Sequence, residues 1–369
     1  METVKRINTD ELSEHGLDRI GELNPYITLL CDLRCKYCYM YDFLSQDALD
    51  IMTTDFYYKL VTHFADEYDG LDRHTFLGGE PTQHPSITEF ANYVGGLKVK
   101  ERRMTTNGTS THKLRLDELE PDVFDHVSVS VDGHNSQIND VTRGVGTFRR
   151  IVSTLAEYRE AGIRTSVNYT VTSRNINEVL AAPSFFYALG VSIINFHVVS
   201  NIGNTINNQE LGLCVDPLEW IRQRNLLMET RSFPGITLRI PYMYLTEEEI
   251  KNLGYIPIQE KNYHSPNGGY RLIVFPPTGK GKGYCYMSAD LIGVENAHIA
   301  KVDSEGTFHW NHDPRNEWTE YQRSKSANVS SDLRGEKVYA TYGVIPVSVS
   351  YKKTLIFPQN NTPNTEKRS

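Results

Sequence analysis

Short apolar runs alternate with longer amphipathic stretches between residues 25 and 200 of the chain. Runs rich in Val, Ile, Phe and Thr read as strands, and segments with apolar residues three and four apart read as helices. This pattern predicts strands at Tyr26–Leu30, His74–Leu77, Arg103–Thr106, His126–Val131, Thr165–Thr172 and Ser192–Val199. Helices are predicted near Asp55–Tyr68, Ile87–Val94, Phe148–Ala161 and Ile176–Leu189, while Lys113–Glu120 is short and weakly periodic. Strand–helix alternation of this kind predicts an α/β fold with a parallel sheet. Six such repeats curve into a partial, TIM-like (β/α)6 barrel with an open side, since a closed barrel takes eight.

After Asn201 the alternation stops, and the Asn-rich stretch Asn201–Asn208 reads as a linker. A helix near Pro217–Thr230 and strands near Ile236–Ile240, Arg271–Phe275, His298–Val302 and Thr307–Trp310 suggest a small C-terminal α+β appendage. The expected organisation is an N-terminal extension 1–24, a barrel 25–200, an α+β region 201–320 and a final segment 321–369. The tail from about residue 360 is polar and expected to be disordered.

With 369 residues, 39% of them hydrophobic, the chain can bury a substantial core. A net charge of −8 argues against nucleic acid as its main partner. No apolar stretch approaches the ~20 residues of a membrane span, and Met1–Lys5 lacks the apolar core of a secretory signal. A soluble, cytoplasmic protein without a membrane partner is expected.

Chemistry concentrates in Cys31-Asp-Leu-Arg-Cys35-Lys-Tyr-Cys38. Three thiolates on one loop can hold a [4Fe-4S] cluster and leave its fourth iron open. A structural zinc site wants four protein ligands, and the remaining cysteines, Cys214 and Cys285, are single and distant. An odd cluster without a signal peptide also speaks for reduced thiols rather than disulfides. Free cysteines do occupy cores. These three instead follow the apolar run Ile27–Leu30 and are interleaved with Asp32, Arg34 and Lys36, which suits a loop at a strand end.

Barrel chemistry gathers at the C-terminal ends of strands. The cysteine loop follows the first predicted strand, Gly78-Gly79-Glu80-Pro81 the second, Asn107-Gly108 the third and Asp132-Gly133 the fourth. By itself Gly78–Pro81 is equally a strand end and turn. Ser128 and Ser130 read as serines facing a polar barrel interior, with Asp-Gly closing the turn.

Together these motifs, with Tyr37 before the third cysteine, resemble the radical S-adenosylmethionine (SAM) enzymes. The resemblance implies that Cys31, Cys35 and Cys38 hold the cluster and that SAM chelates the open iron. Reductive cleavage of SAM would then give a 5'-deoxyadenosyl radical able to take hydrogen from unactivated carbon. It further implies that Gly78, Gly79, Glu80 and Pro81 meet the amino group of SAM, and that Tyr39 recognises adenine through its backbone. Thr106 and Asn107 join the cofactor site, and Ser130 and Asp132 lie by the ribose and carboxylate. Arg143 lies near the cluster or that carboxylate. Asn168 and His197, facing inward, are further ribose or adenine candidates.

The motif wording is similar to the peptide-modifying and sulfatase-maturing (SPASM/twitch) subgroup, whose members usually carry a cysteine-rich C-terminal extension. Here Cys285–Trp310 resembles the frame of that extension, yet Cys214 and Cys285 are too few for a second four-thiolate cluster. A single cluster favours redox-neutral outcomes such as epimerisation or rearrangement, with Cys214 or Cys285 as hydrogen donor or else as a structural thiol. The leading expectation is hydrogen abstraction from a peptide or natural-product precursor, with flavodoxin or ferredoxin as electron donor. Only about 24 residues precede the first predicted strand, which weakens the peptide reading. A small-molecule substrate such as a sugar, amino acid or nucleotide is the runner-up, and a non-catalytic SAM sensor is the alternative of another class. Tyr242, Tyr244, Tyr284, Tyr286, His309 and Trp310 read as packing more than recognition.

Overall fold

The computed structural model describes residues 19–45, 47, 49–67, 70–110, 113–199, 203–229 and 235–240, and shorter stretches between 244 and 346. Seven strands follow in chain order: β1 (Ile20–Pro25), β2 (Arg73–Phe76), β3 (Arg102–Thr106), β4 (His126–Val131), β5 (Thr165–Val171), β6 (Ile193–Val198) and β7 (Thr237–Ile240). β8 (Tyr244–Thr246) belongs to a separate small sheet. β9 (Tyr270–Val274) returns to pair with β1 in parallel, so that β9 and β1 to β7 form one parallel run. Antiparallel strands β10 (Lys282–Tyr286), β11 (Ala300–Asp303) and β12 (Phe308–Trp310) extend the β9 edge. The sheet is therefore open at both margins, an α/β partial barrel rather than a closed one.

Helices cover the outer face: α1 (Thr54–Thr62), α2 (Ile87–Gly95), α3 (Ser136–Arg143), α4 (Thr147–Glu160) and α5 (Ala182–Ala188). The Thr53 hydroxyl caps α1 by accepting from the Phe56 amide, and Phe56, Tyr57, Leu60 and Val61 turn inward. In α4, Ile151, Thr154, Leu155 and Tyr158 give the same three-and-four spacing on its buried face. Against them lie Leu23, Val127, Val129, Val131, Val167, Tyr169, Ile194 and Phe196, all buried. The intervening strand positions are polar and point into the barrel.

Several predicted elements are corrected. The first strand is Ile20–Pro25, not Tyr26–Leu30; its inward Glu22 and Asn24 interrupt the apolar run by which a strand is read. Residues 26–30 instead make isolated bridges, Tyr26 to Leu77, Thr28 to Ile51 and Leu30 to Ser45. The predicted Ile176–Leu189 helix breaks into a short turn at Ile176–Glu178 and α5, where Pro183 suits a helix start and not its interior. Helix α3 was not expected, because its buried residues, Asn139, Thr142 and Arg143, are polar. The strands near Ile236–Ile240 and Arg271–Phe275, assigned to the appendage, flank the parallel sheet itself.

Among the aromatic candidates, Trp310 is buried and stacks on Phe308, Tyr286 is buried edge-on to Phe275, and His309 is exposed beside Asp303. Tyr242 and the tail from residue 360 lie outside the described residues. No helix among the described residues is long and apolar enough to cross a membrane.

Candidate active site

The ends of β1 to β4 meet at the cysteine loop. Gly79 and Glu80 amides donate to the Thr28 and Leu30 carbonyls (both 2.7 Å), laying the Gly78–Pro81 turn along the approach to Cys31. A Cβ on Gly78 or Gly79 would collide with those same carbonyls. The two glycines are thus required by backbone-to-backbone contact within the protein, a constraint the sequence reading placed at the ligand.

Glu80 is buried, and its carboxylate accepts from the Thr82 amide (3.1 Å) and hydroxyl (2.6 Å), the Thr106 hydroxyl (2.6 Å) and the Asn107 amide (2.6 Å). Burial raises its pKa while these donors oppose the rise. The carboxylate therefore ties the second and third strand ends together. Asn107 carries the connection onward: its side-chain amide donates to Asp32 (2.7 Å) and lies 3.8 Å from the Cys31 sulfur, which also receives the Leu33 amide (3.4 Å).

A second buried knot sits below Cys35. The Tyr37 hydroxyl donates to Asp132 (2.7 Å) and accepts from Arg143 (2.7 Å), and Asp132 also accepts from the Thr142 hydroxyl (2.6 Å). Asp132 and Arg143 are ion-paired at 3.4 Å and almost wholly buried. Burial acts to lower the Arg143 pKa, but Tyr37, Cys35 and Asp132 outweigh it and hold the guanidinium charged. Arg143 is thus the last residue of α3, pinned inside the protein and not a solvated loop residue. The Lys36 amide donates to the Thr142 carbonyl (3.0 Å), fastening the cysteine loop to the same helix.

The stretch read as a linker closes the other side. In the short helix α6 (Asn204–Asn207), the Asn204 amide donates to the Cys38 carbonyl and its side chain to the Cys35 carbonyl, both at 2.9 Å. Asn208 reaches the Lys36 carbonyl (3.4 Å), and a Cβ on Gly203, whose φ is +54°, would strike Tyr39. The clue in the sequence was the density of side-chain amides, which suit exposed carbonyls.

Ser130, Asn168 and Asn195 occupy one register row across β4, β5 and β6. The Asn195 amide donates to Asn168 (2.9 Å). His197 on β6 is exposed, and desolvation by the surrounding protein lowers its pKa. The Tyr39 hydroxyl bonds that of Tyr26 (2.7 Å). Cys214 is exposed just beyond Leu213, whose carbonyl accepts from Ser173 past the end of β5. Cys285 is buried in β10 among apolar side chains, which raise its pKa.

All three loop cysteines are free and partly buried. Burial raises each thiol: Cys31 strongly, with Glu80 adding, and Cys38 to about 11, while at Cys35 the nearby Arg143 opposes the rise. Among the described residues no group of three or more His, Cys, Asp or Glu closes round a metal ion. An iron–sulfur cluster does not require such closure, because its thiolates sit on different irons. Soft thiolate donors, two N–H groups directed at Cys31 and a guanidinium beside Cys35 fit an anionic, thiolate-bound cluster.

Residues 26–182 match the model of the Radical SAM superfamily. AdoMet-dependent heme synthase of Methanosarcina barkeri is 27% identical over 274 residues, covering 71% of this chain and 72% of that protein. Mycofactocin maturase MftC of Mycobacterium ulcerans is 27% identical over 175 residues, 46% of this chain and 45% of the relative. The structure of Streptococcus suis SuiB bound to S-adenosylmethionine superposes with a TM-score of 0.59 at 16% identity, over 78% of this chain and 65% of SuiB. SuiB has also been solved bound to precursor peptide SuiA. The chain spans less than two thirds of the length of MftC and of SuiB.

Proposed function

We propose, from the match of residues 26–182 to the Radical SAM superfamily, that the chain is an enzyme of that superfamily using SAM and an iron–sulfur cluster, and that Cys31, Cys35 and Cys38 hold one [4Fe-4S] cluster to start hydrogen abstraction from a peptide or natural-product precursor. When bound, that cluster supplies the electron that cleaves SAM to a 5'-deoxyadenosyl radical. The convergence of four strand ends on the cysteine loop carries this reading.

In this reading the turn Gly78–Pro81 presents backbone acceptors to the SAM ammonium, and Glu80 fixes that turn from behind. Ser130, Asn168 and His197 line the lumen where ribose and adenine would lie, with the Tyr39 backbone at the adenine. Asp132 and Arg143 act from beneath, through Tyr37, by holding the loop that carries Cys35 and Cys38. Of the two outlying thiols, exposed Cys214 suits a hydrogen donor to a substrate radical, and walled-in Cys285 suits packing. We assign residues 25–200 to the SAM-binding part and 201–320 to the part that meets substrate, with flavodoxin or ferredoxin as reductant.

A small-molecule substrate is a second reading, favoured by the heme synthase relative, whose similarity runs over 71% of the chain. The test is anaerobic reconstitution followed by SAM and a strong reductant. Formation of 5'-deoxyadenosine is expected, and replacement of Cys31, Cys35 and Cys38 by Ala should abolish both cluster absorbance and cleavage. Bound but uncleaved SAM would instead support a sensor. Deuterium transfer to 5'-deoxyadenosine from labelled peptide or small-molecule candidates then separates the two substrate readings.

A further inference from the structure

The inner face of the barrel carries an imbalance of charge at the end remote from the cysteine loop. Arg73 opens β2, Arg103 is the second residue of β3, His126 opens β4 and Arg239 lies in β7. Arg73 and Arg239 stand on strands five places apart in the sheet, yet the charge of Arg73 bears on Arg239. Only a curled sheet, with both side chains on its concave side, permits that. On β7 the alternation agrees, for Leu238 and Ile240 are buried in the core and Arg239 between them is not.

Carboxylates are too few for these cations. Glu22 is taken by Arg271, whose Nε lies 3.0 Å away, and lies 3.2 Å from Arg73. Arg73, Arg103 and Arg239 are left to share Glu101, which bonds the first at 2.8 Å and also pairs with Arg103. The polar contact of Arg239 is a neutral one, the Asn195 carbonyl oxygen at 3.4 Å. Arg103 Nε and His126 Nε2 are buried with no hydrogen-bond partner, and His126 as a whole is only 7% exposed. Burial and the mutual repulsion of the arginines lower the pKa of Arg103 to about 10, and burial lowers that of His126 to about 4, leaving the imidazole neutral. Three guanidiniums against Glu101 and a Glu22 shared with Arg271 leave the cluster with a net positive charge among the described residues. Desolvated charge of this kind is costly unless an anion completes it.

The geometry points to an anion subsite in which Arg73, Arg103 and Arg239 hold a doubly charged oxyanion of the substrate, a phosphate monoester or a pair of carboxylates. The row Ser130–Asn168–Asn195–Arg239 runs across four adjacent strands and joins this subsite to the place proposed above for SAM. It deepens the enzymatic reading of the lumen and rests on it only for the word substrate, since anion binding needs neither cluster nor SAM. Guanidinium forks suit both phosphate and carboxylate oxygens, and the two are separated by experiment.

The full chain, anaerobically reconstituted, is titrated calorimetrically with methyl phosphate, malonate and acetate at constant ionic strength. Methyl phosphate or malonate is expected to bind at least about tenfold more tightly than acetate. Preference for the first marks a phosphoester substrate and preference for the second a dicarboxylate. Arg239→Gln should weaken the preferred dianion by about tenfold or more, with Arg239→Lys in between. Circular dichroism of each variant shows whether it is folded, and Arg103→Gln supplies a second folded variant should Arg239→Gln fail. Equal affinity for acetate and the dianions, or a dianion affinity untouched in folded Arg239→Gln and Arg103→Gln, would overturn the proposal. Because binding is read without SAM cleavage, either result leaves the radical SAM reading where it stands.

Discussion

Glu80 accepts four hydrogen bonds and donates none, so its charge state and its shape both matter. In Glu80→Gln the new amide must face either the Thr82 or the Asn107 backbone N–H, and neither can reverse its polarity. A loss of about 1–3 kcal/mol is expected from setting donor against buried donor, seen as a lower denaturation midpoint. Tyr37→Phe removes the hydroxyl linking Asp132 to Arg143 and should cost about 1–2 kcal/mol, the charged pair keeping Thr142. If Tyr37→Phe were as stable as the parent, the buried knot would not be what anchors Cys35. The cysteines, Gly78–Pro81 and Asp132 were legible because their spacing follows strand ends. What each carboxylate touches was not, for Thr82, Thr106, Thr142 and Tyr37 are common residue types that gain meaning only when brought together.

The Asn-rich segment shows how an element can be misread for the same reason. Asparagine marks turns because its side chain satisfies backbone groups, and here those groups belong to the cysteine loop some 169 residues away. Asn204→Ala and Asn204→Asp both remove the donor to the Cys35 carbonyl. Each should speed loss of cluster absorbance in the presence of a chelator while shifting the unfolding midpoint little. An Asp variant that kept its cluster like the parent would show that the amide donor is not the cause. Helix α3 was invisible for a related reason, since its buried face is Asn139, Thr142 and Arg143 in place of an apolar stripe. By contrast β4, bounded by polar turns and alternating Val with polar residues, spans the residues its pattern predicted.

At the level of the whole molecule, the parallel run β2 to β6 could be anticipated from local pattern, whereas β1 itself and the return of β9 to it could not. Three buried histidines give the molecule a pH dependence that no single strand reveals. Burial lowers His74 to about 3, and His84 and His126 to about 4. Their folded pKa values lie below the unfolded value near 6.5, so below that pH the unfolded chain takes up protons first and stability falls as pH drops. Each site contributes about 1.4 kcal/mol per pH unit until its folded pKa is reached. Urea midpoints should therefore fall between pH 6.5 and 5, and His74→Gln should flatten that fall by at most about a third, since His197 is lowered as well. An unchanged slope in His74→Gln would count against burial as its source. The return of β9 also bears on synthesis. Strand β1 leads straight into the cysteine loop, but one of its two edges stays bare until residues 270–274 have left the ribosome. At about 5–20 residues per second that wait is on the order of tens of seconds. For that interval the nascent chain offers an unpaired strand edge, a template for wrong pairing that calls for chaperone cover.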